Sequence, residues 1–206
     1  MAATLAYDDF NRAASTNLGA NWSEISGGWE LISGADLRLV NHNAADDVVA
    51  WITYLGANPA ADYDIQADCY CFSGGGGGGV GPAGRITNIN NYYFVQMDPT
   101  YNEFGLFKKV SGSFTALSVY SATLNDSQWY NIKLTMAGTS LKAYLDGVER
   151  ASATDSAITV TGYPGIRGFG IDNGQTYDNF IVYGVPLVTF NKNNVNRYAI
   201  KRASSY

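Results

Sequence analysis

Charge is scarce in this sequence: Asp, Glu, Lys and Arg make up 15% of 206 residues, alongside one histidine, two cysteines and five prolines. Each shortage excludes something. So few charges, set against 46% hydrophobic residues, exclude wholesale disorder and leave enough apolar side chain for a sizeable core. The lone His42 and the pair Cys69 and Cys71 fall short of the ligand set of a zinc site. Two residues of strand span about 6.6 Å, at the upper limit for a disulfide, so both cysteines read as buried free thiols. No run approaches the roughly 20 apolar residues of a membrane span. The first nine residues lack the basic and apolar stretches of a signal peptide, so the expectation is a protein made and kept in the cytoplasm, or released by assembly or lysis.

Basic residues are scarcer still over most of the chain. Met1–Gly184 holds nine Lys and Arg against eighteen Asp and Glu, a net −9, whereas Val185–Tyr206 holds four basic residues and no acid, a net +4. An acidic body excludes nucleic acid as a partner, because neutralising phosphates needs clustered cations. The same division organises the chain into one domain over 1–184 and a short basic, Asn-rich extension over 185–206. All-β sandwiches reach this length as single units.

Aromatic residues and glycine are plentiful, with 14% aromatics, fifteen Tyr and 23 Gly. Period-two alternation dominates. In Tyr63–Cys71, the residues Tyr63, Ile65, Ala67, Cys69 and Cys71 share one face, and Asp62, Asp64, Gln66 and Asp68 share the other. Comparable strands are predicted over Trp29–Ser33, Leu37–Val40, Val48–Tyr54, Arg85–Ile89, Tyr92–Met97, Phe104–Val110, Phe114–Tyr120, Trp129–Met136, Leu141–Leu145, Gly165–Ile171 and Tyr177–Tyr183. Ser111-Gly112, Ala137-Gly138, Asp146-Gly147 and Asn173-Gly174 mark tight turns between them. The six glycines Gly74–Gly79 lack the Lys-Ser/Thr ending of a phosphate-binding loop, so Ser73–Gly81 reads as a surface loop. Short helical turns are expected at most after Asn11 and in the extension. Roughly a dozen strands with turns every 8–12 residues is the pattern of an antiparallel sandwich.

Several stretches, in order, carry a resemblance. They are Asp8-Asp9-Phe10-Asn11-Arg12, Leu18-Gly19-Ala20-Asn21-Trp22, Asp62-Tyr63-Asp64-Ile65, Gly84-Arg85-Ile86 and Asn91-Tyr92-Tyr93. Gln128–Leu134, Leu141–Gly147, Gly165-Ile166 and Tyr177–Val182 follow. Over Tyr7 to Tyr183 the chain resembles the LamG-like jelly-roll domains of the concanavalin A-like lectin/glucanase superfamily. The resemblance implies an all-β, two-sheet antiparallel jelly-roll sandwich, one sheet concave, with first and last strands adjacent. The sets Trp129, Ile132, Leu134 and Leu141, Ala143, Leu145 are expected to face the opposite sheet, with Trp22, Trp29 and Trp129 as core anchors.

The resemblance also bears on function. Relatives that hydrolyse β-glucans carry a Glu-x-Asp-x-x-Glu motif on a concave strand, at the separation of a retaining pair. Glu24, Glu30, Glu103 and Glu149 form no such motif, and Asp62, Asp64 and Asp68 read as the solvated face of a half-buried strand. His42 lies in the polar loop Asn41–Asp47 and supplies no Ser-His-Asp set. No catalytic residue is assigned, and the chain is expected not to be an enzyme. Relatives bind glycans through aromatic and polar residues, here Tyr92 and Gln96 on one strand face and Tyr101 in the next turn. Relatives also hold a structural calcium where first and last strands meet, a position matched by Asp178 with Asp8 or Asp9 nearby; no other cofactor is implied.

A LamG-like domain without a signal peptide and with a basic, Asn-rich extension resembles phage virion proteins. The implied role is structural: a head decoration, fibre or tail module made in the host cytoplasm. It would contact other virion proteins or copies of itself, and a cell-surface glycan. In the extension, Phe190, Tyr198, Ile200 and Tyr206 alternate with Lys192, Arg197, Lys201 and Arg202, the mixture expected of a docking segment. Two alternatives stand beside this: an extracellular glycan-binding module of a secreted bacterial protein, and a glycoside hydrolase or lyase with an atypical acid pair.

Overall fold

The structure is a computed structural model, described over residues 3–32, 36–40, 47–53, 60–71, 78–170 and 176–184. The extension 185–206, His42, most of the glycine run and Asn173-Gly174 lie outside the described residues. Among the described residues, fifteen strands follow one another: β1 (Thr4–Asp8), β2 (Trp22–Glu24), β3 (Gly28–Ile32), β4 (Asp36–Val40), β5 (Asp47–Ile52), β6 (Tyr63–Cys71), β7 (Gly79–Asn88) and β8 (Asn91–Asp98), then β9 (Glu103–Val110), β10 (Ser113–Ser121), β11 (Gln128–Ala137), β12 (Ser140–Leu145), β13 (Val148–Thr154), β14 (Tyr163–Phe169) and β15 (Thr176–Gly184). They form two antiparallel sheets. The eight-stranded sheet runs β13-β12-β11-β6-β15-β4-β3 with β1 also on β15, and the seven-stranded sheet runs β10-β9-β8-β7-β14-β5-β2. The pairing of β1 with β15 places first and last strands side by side, as the resemblance implies. No helix occurs among the described residues, including the segment after Asn11.

Alternation builds the core. Tyr63, Ile65, Ala67 and Cys69 of β6, Ile132, Leu134 and Met136 of β11, and Leu141 and Ala143 of β12 meet Tyr93, Val95 and Met97 of β8 and Phe104 and Leu106 of β9 between the sheets. Each Leu, Ile, Val, Met or Phe among them, fully buried, contributes about 1.5–3 kcal/mol. Cys69 is a buried free thiol. Tight hairpins come where expected: Ser111 and Gly112, and Asp146 and Gly147, all take positive φ, which suits the twist of paired strands.

Trp129 is corrected. It is 39% exposed and packs on Tyr70 outside the eight-stranded sheet, with ring centroids 5.4 Å apart. Its number is odd where Ile132 and Leu134 are even, so strand alternation turns it outward; Tyr130 is the residue that faces inward. Trp29, 1% exposed, does anchor the core. Trp29→Ala is therefore expected to cost about 3–5 kcal/mol, and Trp129→Ala about 1 kcal/mol or less, as read by denaturant unfolding of the two variants.

The glycine stretch is also corrected at its end. Gly79 and Gly81 belong to β7, and a Cβ at Gly81 would lie 2.2 Å from the Val95 carbonyl oxygen. Glycine here permits close strand approach rather than a loop.

A partly buried polar corner closes the segment between β13 and β14. The Asp155 carboxylate accepts from the Tyr93 hydroxyl and the Lys108 ammonium, both at 2.5 Å, and from the Ala157 amide at 2.8 Å. Burial, with Asp155 adding to it, pushes the Tyr93 hydroxyl up to about 12, so it remains a donor. Burial alone would raise the Asp155 carboxyl, but the hydrogen bonds from Lys108 and Tyr93 outweigh it and hold the group below its ordinary value. A depressed folded pKa means that this stabilisation is complete above the unfolded value near 3.9 and is lost as pH falls through the folded value. Asp155→Asn should therefore be less stable than the parent near neutral pH, with the gap closing in thermal melts below about pH 3.

Candidate functional site

The outer face of the seven-stranded sheet is where the sequence placed a glycan site. Even-numbered residues of β8 point outward, so Tyr92 and Gln96 do share this face, with Phe94 between them. The Arg167 guanidinium lies 4.3 Å from the Phe94 ring centroid and donates to the Gln96 carboxamide oxygen at 2.6 Å. The Lys109 ammonium lies 4.9 Å from the Phe114 ring and 5.8 Å from Tyr92. Tyr92 is 0% and Phe94 1% exposed, and Arg167 and Lys109 are 3% and 8% exposed. Tyr92 is thus a packed ring, not a stacking platform. Tyr101 is 72% exposed, in the turn after the far end of β8, about 20 Å of strand away from Tyr92. The structure does not bring the three together.

That same turn pairs two carboxylates that sequence reading kept apart. Asp98 and Glu103 are cross-strand partners on β8 and β9. Asp98 accepts from the Thr100 amide at 3.0 Å, which makes it a cap on the turn. Burial raises its carboxyl above the ordinary range against the Thr100 and Tyr101 amides, and Glu103 pushes the same way. Only the hairpin register reveals this pair.

The residues expected at calcium lie near the β1–β15 seam, beside a cleft of about 730 Å³. Asp8 is committed within the protein. Asp8 accepts from Arg12 at 2.6 Å, from the Trp22 indole at 2.7 Å and from the Phe10 amide at 2.8 Å, so donors already surround it. Asp9 accepts from the Asn11 amide and Asp178 from the Asn179 amide. Among the described residues, no group of three His, Cys, Asp or Glu side chains is arranged to hold a metal ion.

The outer face of the eight-stranded sheet presents a different surface. Register sets Trp129 against Tyr70 and Asn131 against Asp68 across β11 and β6. The Asn131 carboxamide donates to one Asp68 oxygen at 2.7 Å, and the Asn179 carboxamide donates to the other at 2.9 Å. A bulge in β15 between Asp178 and Ile181 accompanies the left-handed Asn179 backbone. Tyr7 of β1, 55% exposed, reaches Asn179 with its hydroxyl at 3.4 Å. The exposed Trp129 on the half-buried Tyr70, a row of amides around one carboxylate, and the exposed Tyr7 ring therefore cross β11, β6, β15 and β1, about 14 Å. Both Asp68 oxygens are held by amides, so the row offers fixed polar groups of set direction. Flat rings beside fixed amides suit a ligand with apolar C–H faces and equatorial hydroxyls. The signal in sequence was the odd-numbered phase of Trp129 and Asn131, opposite in phase to Tyr70 and Asp68 on another strand.

No family model matches the sequence, and no curated protein matches it. Solved structures do. The carbohydrate binding module CBM66 from Bacillus subtilis superposes with a TM-score of 0.62 at 20% identity, covering 77% of this chain and 91% of that one. A Bacillus subtilis protein of unknown function with a galectin-like fold gives 0.64 at 13%, covering 88% and 96%. The Bacillus licheniformis beta-glucanase gives 0.62 at 11%, covering 87% and 97%. At these identities the likeness concerns the fold, which binding modules and a glucanase share.

Proposed function

Starting from a chain with the concanavalin A-like jelly-roll fold, we propose that it is a non-catalytic glycan-binding module that contacts sugar through the outer face of its eight-stranded sheet. The observation that supports this is the exposed Trp129, packed on the half-buried Tyr70, beside the Asn131–Asp68–Asn179 row. Rings shield the C–H face of a pyranose while amides take its hydroxyls, a combination that needs no net charge on the ligand. The non-catalytic part rests on what the described carboxylates do. Asp8, Asp62, Asp68 and Asp155 each accept several hydrogen bonds that fix strands or loops. Asp98, the partner of Glu103, caps its turn.

The test is retention of the purified chain on a panel of immobilised glycans, with reducing-sugar release assayed on the same glycans. Binding without release is expected. Turnover that Glu103→Gln abolishes would replace this reading with a hydrolase built on the Asp98–Glu103 pair.

Within this reading the setting we favour is a phage virion, in which the sandwich displays its sugar-binding face and the segment 185–206 docks on a neighbour. The charge division supports it: a −9 body and a +4 segment in which aromatic residues alternate with cations. Removing 185–206 should leave the sandwich folded and prevent incorporation into particles. Equal incorporation would refute docking by 185–206, and absence of the full chain from purified particles would favour the secreted-module alternative.

A further inference from the structure

Backbone groups on the open side of an edge strand lack partners, and folded proteins guard them with charge, proline, shortness or cover. Among the described residues, the open edges other than β10 are guarded in that way, β1 by its five residues ending in Asp8. β13 carries Glu149 and Arg150, β3 has five residues including Glu30, and β2 has three including Glu24. β10, the edge of the seven-stranded sheet, is different. Its nine residues, Ser113–Ser121, include no charge and no proline, and are rich in the hydroxyl, aromatic and β-branched side chains that favour pairing. It lies open to solvent, with Phe114 49%, Val119 48% and Tyr120 36% exposed. Its one irregularity, a bulge between Ala116 and Ser118, changes the register so that Phe114, opposite Lys109, and Val119, opposite Gly105, fall on the same outer face.

We propose that β10 pairs antiparallel with β10 of a second copy of this chain, joining the two seven-stranded sheets into one continuous sheet. Self-complementarity is what selects a second copy. A two-fold axis through the strand brings the Phe114 half of one copy beside the Val119 half of the other, so apolar side chains meet apolar side chains and no like charges face each other. Three cations touch β10 side chains. Lys109 and Arg167, both buried, lie 4.9 and 5.5 Å from the Phe114 ring. Arg150 is held 5.0 Å over the Tyr120 ring and donates to its hydroxyl, on the side of the eight-stranded sheet. The pairing is independent of sugar binding, whose residues lie on the other sheet.

Sedimentation of the full chain across micromolar concentrations tests this, together with the double variant Phe114→Lys, Val119→Lys. Phe114 also packs on Phe94 beside Lys109 and Arg167, so the double variant should melt lower. Val119→Lys alone, which should keep the parent's circular dichroism and melting temperature, is run beside it and should likewise lose association. The parent should sediment at twice the chain's mass, and each variant at the chain's mass. Amide exchange along Ser113–Ser121 should slow as the parent associates. A parent that is monomeric throughout, a variant that associates as well as the parent, or association without new protection in β10 would each overturn the proposal.

Discussion

Arg85→Ala is expected to lower the unfolding free energy by about 3–5 kcal/mol, among the largest effects of any single substitution in this chain. The side chain is wholly buried. Its guanidinium donates to the carbonyls of Ala61 at 2.7 Å, Ile158 at 2.8 Å and Gly138 at 2.7 Å, and to Asp62 at 3.1 Å. Those acceptors come from three connections far apart in sequence: the approach to β6, the β11–β12 turn and the segment before β14. Removing the fork leaves three carbonyls without their donor, each costing about 1–3 kcal/mol where water cannot replace it. Arg85→Lys should recover only a small part, because an ammonium cannot spread donors over that geometry. Alanine and lysine both keep a Cβ at the positive φ of this residue, so backbone strain does not separate them. Asp62→Ala should cost far less, since the Asp62 side chain is 49% exposed. Urea unfolding of the three variants gives the comparison; a loss under about 1 kcal/mol for Arg85→Ala would contradict it.

Tyr177→Phe is the second large effect, about 2–4 kcal/mol for the loss of one oxygen atom. Gly81 and Arg167 are ladder partners on β7 and β14, yet the Tyr177 hydroxyl stands between them. It donates to the Arg167 carbonyl and accepts from the Gly81 amide at 3.0 Å. Tyr177 belongs to the other sheet, so its ring crosses the whole core to reach this seam. Tyr63 of β6 does the same further along, accepting from the Arg85 amide at 2.6 Å and donating to the Gly162 carbonyl at 2.9 Å. Two tyrosines thus pin the sheets together by completing hydrogen bonds in the opposite ladder. Phenylalanine keeps the packing and orphans both backbone groups, so stability should fall while the Gly81 amide exchanges faster. Unchanged Gly81 exchange would mean that the two strands close the gap by themselves.

The fold was largely legible because alternation is a local signal. The bounds of β6 come out as the sequence predicts, and so do the hairpin turns at Ser111-Gly112 and Asp146-Gly147. What escaped has local causes too. Val148–Thr154 is a strand made of small and polar residues at an edge, where little apolar patterning is required. Thr4–Asp8 and Trp22–Glu24 are short and held by their neighbours. The first half of β7 hides behind glycines that permit close strand approach. The candidate site was less legible, because it depends on which strands pair. Nothing near Trp129 announces Tyr70, and nothing near Asp68 announces Asn179. Tyr92 shows the converse: its strand phase was right, but its outward face is packed by Phe94 and Lys109.

Glycan affinity of the parent, Trp129→Ala and Tyr101→Ala, measured by titration on whichever glycan the panel retains, tests the central claim most directly. Both residues are exposed, Trp129 on the eight-stranded sheet and Tyr101 in the β8–β9 turn of the other, so neither substitution should disturb the fold. Trp129→Ala should weaken binding at least about tenfold, equivalent to about 1.4 kcal/mol, and Tyr101→Ala should leave it unchanged. Parent-like affinity in Trp129→Ala, with loss in Tyr101→Ala, would move the site to the rim of the seven-stranded sheet and contradict the assignment made from the eight-stranded face.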